Sequence, residues 1–139
     1  VHEELILSGP EWADDAAWIR EQLVKMAATL KDNRNQFGTW NADVLNRVEY
    51  TEPETSGSAF FVYMLAYMVN RGYLPKDEYQ PVVEKAWGFL ADSVSADGHL
   101  NRTQPVGRGP IKTDFSQNSE TYGVGAFCLA AVEVSRMSK

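Results

Sequence analysis

Two acidic residues stand at the heads of two apolar runs. Glu54 precedes Thr55-Ser56-Gly57-Ser58-Ala59-Phe60-Phe61, and Glu120 precedes Thr121-Tyr122-Gly123-Val124-Gly125-Ala126-Phe127. Two carboxylates facing each other across a cleft are an arrangement for acid–base work. The competing reading is structural: each Glu lies near a helix N-terminus, where the helix dipole favours negative charge. Ser56 and Ser58 sit in the first turn of the same helix. Their hydroxyls, with the free N–H groups of a helix start, suit an anion; plain N-capping is the alternative for Ser56. Trp40 follows a tight turn at Gly38 and is placed either to stack on a ligand ring or to fill the core of a hairpin. Tyr122 opens the second run and points either to a helix-ring axis or into packing. Asp43 and Asp114 are further loop carboxylates, and Arg102 and Arg108 flank a loop that offers positive charge to an acidic ligand or to solvent.

Other chemistries find little support. Cys128 is the single cysteine, so no intrachain disulfide or cysteine-based metal site can form, and its apolar neighbours predict a small buried hydrophobe. His2 and His99 lie far apart and make no metal-ligand spacing. Nothing calls for a cofactor. A net charge of −6 and a pI near 4.9 argue against a nucleic-acid groove, which needs clustered Lys and Arg. No run approaches the ~20 apolar residues of a membrane span. The chain opens on Val1, and a processed chain or an excised piece is the expectation.

The elements that must hold these residues are helical. Val1 to Pro10 reads as the tail of a preceding element, closed by a Ser8-Gly9-Pro10 turn. From about Glu11, the residues Trp12, Ala16, Ile19, Leu23, Met26 and Leu30 recur at helical spacing and predict one amphipathic helix. Residues 36–45 read as a turn and a short extended segment. From about Ser56 to Arg71 the chain is apolar all round, so that helix must be buried on every side, with Gly72 as its C-cap. Tyr79, Val82, Val83, Ala86, Trp87, Leu90 and Val94 mark a second amphipathic helix; Asp77 is suited to cap it, and Pro81 is tolerable only in its first turn. A loop to about Asn118 leads to a last helix, from about Ser119 to Met137. Trp12, Trp18 and Trp87 are expected to pack between helix layers.

The pattern repeats within a single domain spanning 1–139. Gly38 aligns with Gly98, and Glu54, Thr55, Gly57 and Phe61 align with Glu120, Thr121, Gly123 and Phe127. The units are 11–72 and 75–137. Each is an amphipathic helix, a Gly-centred turn, a loop and an apolar helix, which is the logic of antiparallel helical hairpins in a ring, apolar helices inside. Two hairpins fall short of a ring, so the expected architecture is all-α, part of an α/α toroid that the rest of the ring or another chain completes.

The segments Gly38-Thr39-Trp40, Glu54-Thr55-Ser56-Gly57-Ser58-Ala59, Arg71-Gly72-Tyr73-Leu74, Asp97-Gly98 and Tyr122-Gly123-Val124-Gly125-Ala126-Phe127 resemble the C-terminal portion of glycoside hydrolase family 105. Those are the unsaturated rhamnogalacturonyl hydrolases, related to the unsaturated glucuronyl hydrolases of family 88. The resemblance runs from about Trp12 to Arg136. It implies an (α/α)6 barrel that acts on oligosaccharides from pectin or rhamnogalacturonan ending in a 4,5-unsaturated uronic acid. It also implies hydration of the C4–C5 double bond by an aspartate acid/base, after which the hemiketal collapses and releases the sugar. The family's aspartate belongs to the N-terminal half of the barrel and has no counterpart here, so no catalytic residue carries over. Trp40, Ser56, Ser58 and Tyr122 remain as candidate substrate contacts, with the helix N-terminus cradling the uronate. The chain alone is then inactive, and its partners are an acidic oligosaccharide and either the rest of the barrel or a second copy of itself. The resemblance points to a bacterial cytoplasm or periplasm without choosing between them. The alternatives are a carbohydrate-binding module and a helical interaction module, neither catalytic.

Overall fold

A computed structural model describes residues 1–107 and 109–137. It contains α1 (His2–Ser8), a 3-10 turn at Pro10–Trp12, α2 (Ala13–Asp32), α3 (Thr55–Asn70), α4 (Lys76–Asp92) and α5 (Thr121–Met137). Among the described residues there is no strand, only two isolated bridges, Asn41 with Pro53 and Val94 with Leu100. The extended segment expected near 41–45 is a series of bends, because Asp43 Oδ1 takes the N–H groups of Leu45 and Asn46, both at 2.9 Å, and curls the chain on itself.

The core is organised around α3. Ala59, Val62, Leu65, Ala66 and Met68 are at 0% exposure, as the uninterrupted apolar run requires. Each large side chain of this set contributes about 1.5–3 kcal/mol through burial. α3 packs chiefly on α5, then on α4, while α1 pairs with α2. Phe127 of α5 stacks on Trp87 of α4 at 4.9 Å between ring centres. At the far end, Asn70 donates to the carbonyl and carboxylate of Glu133, at 2.9 and 2.8 Å, tying the C-terminal parts of α3 and α5. α3 ends on a tight reversal: Gly72, at φ +72°, gives its N–H to Val69 O, and Tyr73 gives its own to Met68 O. This is the Schellman pattern, which a residue with a Cβ would strain. Gly38 and Gly98 stand in matching turns, with φ +85° and +88°. In both, the Gly N–H returns to the residue three before it, Asn35 or Ser95.

Several expectations need correction. α5 is apolar all round but is not surrounded. Val124, Leu129 and Val132 are 40–49% exposed, and Cys128 on the same face is exposed, because no neighbouring helix covers it. Trp12 and Trp18 lie outside the packed layer, Trp18 at 63% exposure, since α2 turns Ala16, Ala27 and Leu30 inward instead. Asp77 does not cap α4; the helix starts at Lys76 behind Pro75, with no side-chain cap. Pro81 falls in its second turn, where it removes one helix hydrogen bond.

Candidate functional site

The N-termini of α3 and α5 lie side by side, Gly123 close against Ser56, and with the loop residues 104–107 they form one mouth. Glu54 is the N-cap of α3 and is only 7% exposed. Its Oε1 accepts from Ser56 N–H at 3.0 Å, Ser56 Oγ at 2.7 Å and Gln104 N–H at 3.0 Å; its Oε2 accepts from Gly57 N–H at 2.6 Å. The orphan N–H groups of the helix start are therefore taken by the chain's own carboxylate. Within this chain, the groups expected to cradle an anion at Ser56 and Ser58 have internal partners. Ser56 is turned onto Glu54, and Ser58, 1% exposed, receives the Trp40 N–H at 3.1 Å and sits 3.3 Å from Trp40 O. For Glu54 the dipole-capping reading is the one the geometry displays.

Trp40 fills the core. It is 1% exposed, its indole N–H donates to Leu30 O at 2.9 Å, and Phe61 meets it edge-on at 5.2 Å. Both faces are occupied, so within this chain it offers no stacking surface. Tyr122 is placed differently. It is 38% exposed, and its hydroxyl donates to the backbone oxygen of Gln104. Burial pushes the phenol's pKa upward, and the nearby carboxylates of Glu54 and Glu120 push it the same way. Tyr122 thus senses both acidic groups, although the two have different partners. Glu120 Oε1 accepts from Asn118 Nδ2 at 3.2 Å, and that amide also bonds Thr103 O at 2.7 Å.

A cleft of 410 Å³ opens here, lined among others by Glu54, Ser56, Phe60, Gln104, Val106 and Tyr122. Beneath these lining residues, hydroxyls hold a buried floor that does not itself face the cleft. Thr55 Oγ1 donates to Asn101 O at 2.8 Å and lies 3.0 Å from Thr103 Oγ1; Thr55 N–H donates to Arg102 O at 2.9 Å. Gly123 lets α5 approach this floor, for a Cβ there would lie 2.7 Å from Thr103 Oγ1. Gln104 was not singled out in the sequence, and only its position in a polar loop hinted at it. Arg102 turns away from the cleft toward Glu52, at 3.7 Å, and over the Phe89 ring. Asp114 caps its own turn through Ser116 N–H at 2.8 Å, which holds its carboxyl below the usual range. Arg108 lies outside the described residues. The mouth therefore offers an aromatic edge, a hydroxyl, a glutamine and the buried carboxylate of Glu54, the equipment to hold a polar ring against an apolar flank.

Residues 10–138 match the model of Glycosyl Hydrolase Family 88. The chain is 36% identical over 122 residues to an unsaturated 3S-rhamnoglycuronyl hydrolase of Formosa agariphila, covering 86% of this chain and 32% of that protein. It is 36% identical over 110 residues to a protein of the same name from Alteromonas sp., covering 79% and 26%. Among solved structures it is similar to a glycosyl hydrolase family 88 protein from Bacteroides vulgatus, with 36% identity, a TM-score of 0.74, and coverage of 81% of this chain and 33% of that one. A possible member of the GH105 family from Salmonella enterica serovar Paratyphi A shares the fold, with a TM-score of 0.81 at 24% identity over 99% of this chain and 37% of that one. The chain spans 32% and 26% of the length of the two curated relatives it matches. Its helices are thus part of an α/α toroid.

Proposed function

Given that the chain belongs to Glycosyl Hydrolase Family 88, we propose that it is one wall of a toroidal glycoside hydrolase acting on oligosaccharides that end in an unsaturated uronic acid. The single observation that carries this reading is Tyr122. It is the half-open aromatic hydroxyl of the mouth, held by Gln104 O beside Glu54 and Glu120. Two relatives bear the name unsaturated 3S-rhamnoglycuronyl hydrolase, and this chain covers 86% and 79% of itself against them. In the proposed reaction a proton adds to C4 of the unsaturated sugar and water adds to C5. The resulting hemiketal opens and releases the leaving sugar. The acid/base is an aspartate on another wall of the toroid. This chain's part is to hold the ring: Tyr122 and Phe60 supply its apolar flank, and Gln104 supplies polar contact.

The carboxylate of Glu54 is spent on the helix start, so the uronate is not received there. The matching turns at Gly38 and Gly98 support reading 11–72 and 75–137 as two copies of one hairpin unit in a single domain. The rest of the toroid is the proposed protein partner.

The experiment joins this chain to the complementary part of the Formosa agariphila relative and follows loss of the ultraviolet absorbance of the sugar's double bond. The chain alone is expected to be silent and the joined protein active. Tyr122→Phe should raise KM and Tyr122→Ala should raise it further. An unchanged KM in both variants would remove Tyr122 from the substrate site.

A further inference from the structure

A second cleft, of 370 Å³, opens between the Gly38 turn and the loop that follows it, and no residue lines both it and the mouth. Asn41 lines this cleft and its neighbour Ala42 lines the mouth, so the two lie on either side of one stretch of backbone. Two amides pin its banks together. Asn35 Oδ1 accepts the N–H groups of Phe37 and Thr39, at 3.0 and 3.1 Å, and Asn35 Nδ2 donates to Asn41 Oδ1 at 2.7 Å. Asn41 Nδ2 in turn donates to Tyr50 O at 2.8 Å. The turn is thus fixed against the loop before any ligand arrives, which lowers the ordering cost of binding. With both asparagines spent internally, contact falls to other side chains. Phe37 leans one side of its ring on Phe89, at 5.2 Å between centres, and is 44% exposed, so the other side is open. Arg47 donates through Nη1 to Arg34 O, which ties the guanidinium down at the rim. Arg71, Arg102 and Arg136 each face a carboxylate; among the described residues Arg47 faces none, and its remaining N–H groups form a fork that suits one. Gln36 and Thr51 add an exposed amide and hydroxyl. An apolar ring face beside a fixed cation and neutral hydrogen-bonding groups can receive a sugar ring that bears an acidic group. The mouth is built differently: Glu54 lines it and, among the described residues, no Lys or Arg does.

We propose that this cleft is a second carbohydrate site, for a pyranose unit carrying a carboxylate or a sulfate ester, farther along the oligosaccharide whose end is held at the mouth. The sugar ring lies on the open side of Phe37 and its acidic group meets Arg47. The proposal rests on the reading of the chain as one wall of a glycoside hydrolase for the identity of the polymer; the cleft itself stands on its own geometry. Because Asn41 and Ala42 adjoin, a chain that occupies both clefts passes over one short stretch of backbone. The second cleft then favours longer acidic substrates without touching the bond that reacts.

The test titrates the isotope-labelled chain with three probes and follows its amide resonances. One is a saturated galacturonate trisaccharide, which has no double bond to react; the others are a sulfated and an uncharged galactose trisaccharide. Signals of residues 35–37 and 47–51 should move with an acidic probe and not with the uncharged one, and the probe that moves them tells carboxylate from sulfate. Arg47→Ala and Phe37→Leu should each weaken that binding about fivefold, and Arg47→Lys less. Tyr122→Ala, in the mouth, should leave the shifts at 47–51 in place. Circular dichroism checks that each variant keeps its helices. Equal shifts with the uncharged probe overturn the proposal. So do shifts that spare both segments, or an affinity indifferent to both Arg47→Ala and Phe37→Leu. Binding is read without reaction, so a cleft that binds in a protein that hydrates no unsaturated sugar leaves this site standing and removes the enzymatic reading. An active joined protein with a silent cleft removes this site alone.

Discussion

The carboxylate of Glu54 accepts the backbone N–H of Gln104 at 3.0 Å, and so fastens a loop fifty residues away to the first turn of α3. The same group holds Ser56 and Gly57. Removing it leaves several buried donors without partners at once. Glu54→Ala should therefore cost about 2 kcal/mol of stability, and Glu54→Gln clearly less, because the amide keeps an acceptor oxygen. Urea unfolding of the three proteins checks the order. Equal stabilities would mean that the cap is idle and would free Glu54 for a role toward substrate.

Gly123 is the point of closest approach between α5 and the floor of the mouth. An added Cβ would lie 2.7 Å from Thr103 Oγ1 and 3.0 Å from its Cγ2, and Thr103 is fully buried. Alanine gains up to ~1 kcal/mol of helix propensity over glycine, but overpacking of this kind costs about 1–3 kcal/mol, so Gly123→Ala should be destabilising on balance. Combining it with Thr103→Ala removes the obstacle, and the coupling energy should be favourable in a double-mutant cycle followed by thermal unfolding. Strict additivity would show that the contact is not tight.

How much of this was legible beforehand depended on whether a signal was local. The run from Ala59 to Val69 reads as a helix buried on every side, and α3 is the best-covered element, although its Phe60 is 47% exposed. The run from Val124 to Val134 looks the same in sequence, yet one of its faces is open. Composition records that a side chain is apolar, not how many neighbours arrive to cover it. The cap of α3 is only half legible for a related reason. Serine and threonine lead at helix starts, but the longer Glu54 side chain reaches two N–H groups and a hydroxyl together and also takes an N–H from a distant loop. That last bond is tertiary and leaves no local trace. Trp40 is open to two readings in sequence, and its bond to the carbonyl of Leu30 favours the packing one.

His2 makes stability depend on pH in a defined direction. Burial lowers its pKa first, and Arg20 and further positive charge act the same way against a smaller effect of Glu3. The folded chain therefore binds the proton less readily than the unfolded chain, whose histidine titrates near ~6.5. The stabilising contribution is complete above that value and is lost as pH falls below it toward the lowered folded pKa. Stability should drop between about pH 7 and pH 5, and His2→Phe should remove that part of the slope. Chemical denaturation at a series of pH values provides the comparison. Parallel curves for the two proteins would show that His2 is not the group responsible.

Cys128 separates two views of α5. If the helix were enclosed on all sides, as its apolar sequence suggests, the thiol would be sealed and would react only on unfolding. In the structure it is exposed, on the face that also carries Val124, Leu129 and Val132. A water-soluble thiol reagent should therefore modify the native chain without denaturant, within ~tenfold of the rate for the unfolded chain, because access rather than opening sets the rate. Adding the complementary part of the toroid should slow that reaction, because a neighbouring helix would then cover this face. Far slower modification of the isolated native chain would mean that α5 is already covered, which identical chains pairing through this face would achieve. Sedimentation of the same sample would then show the dimer.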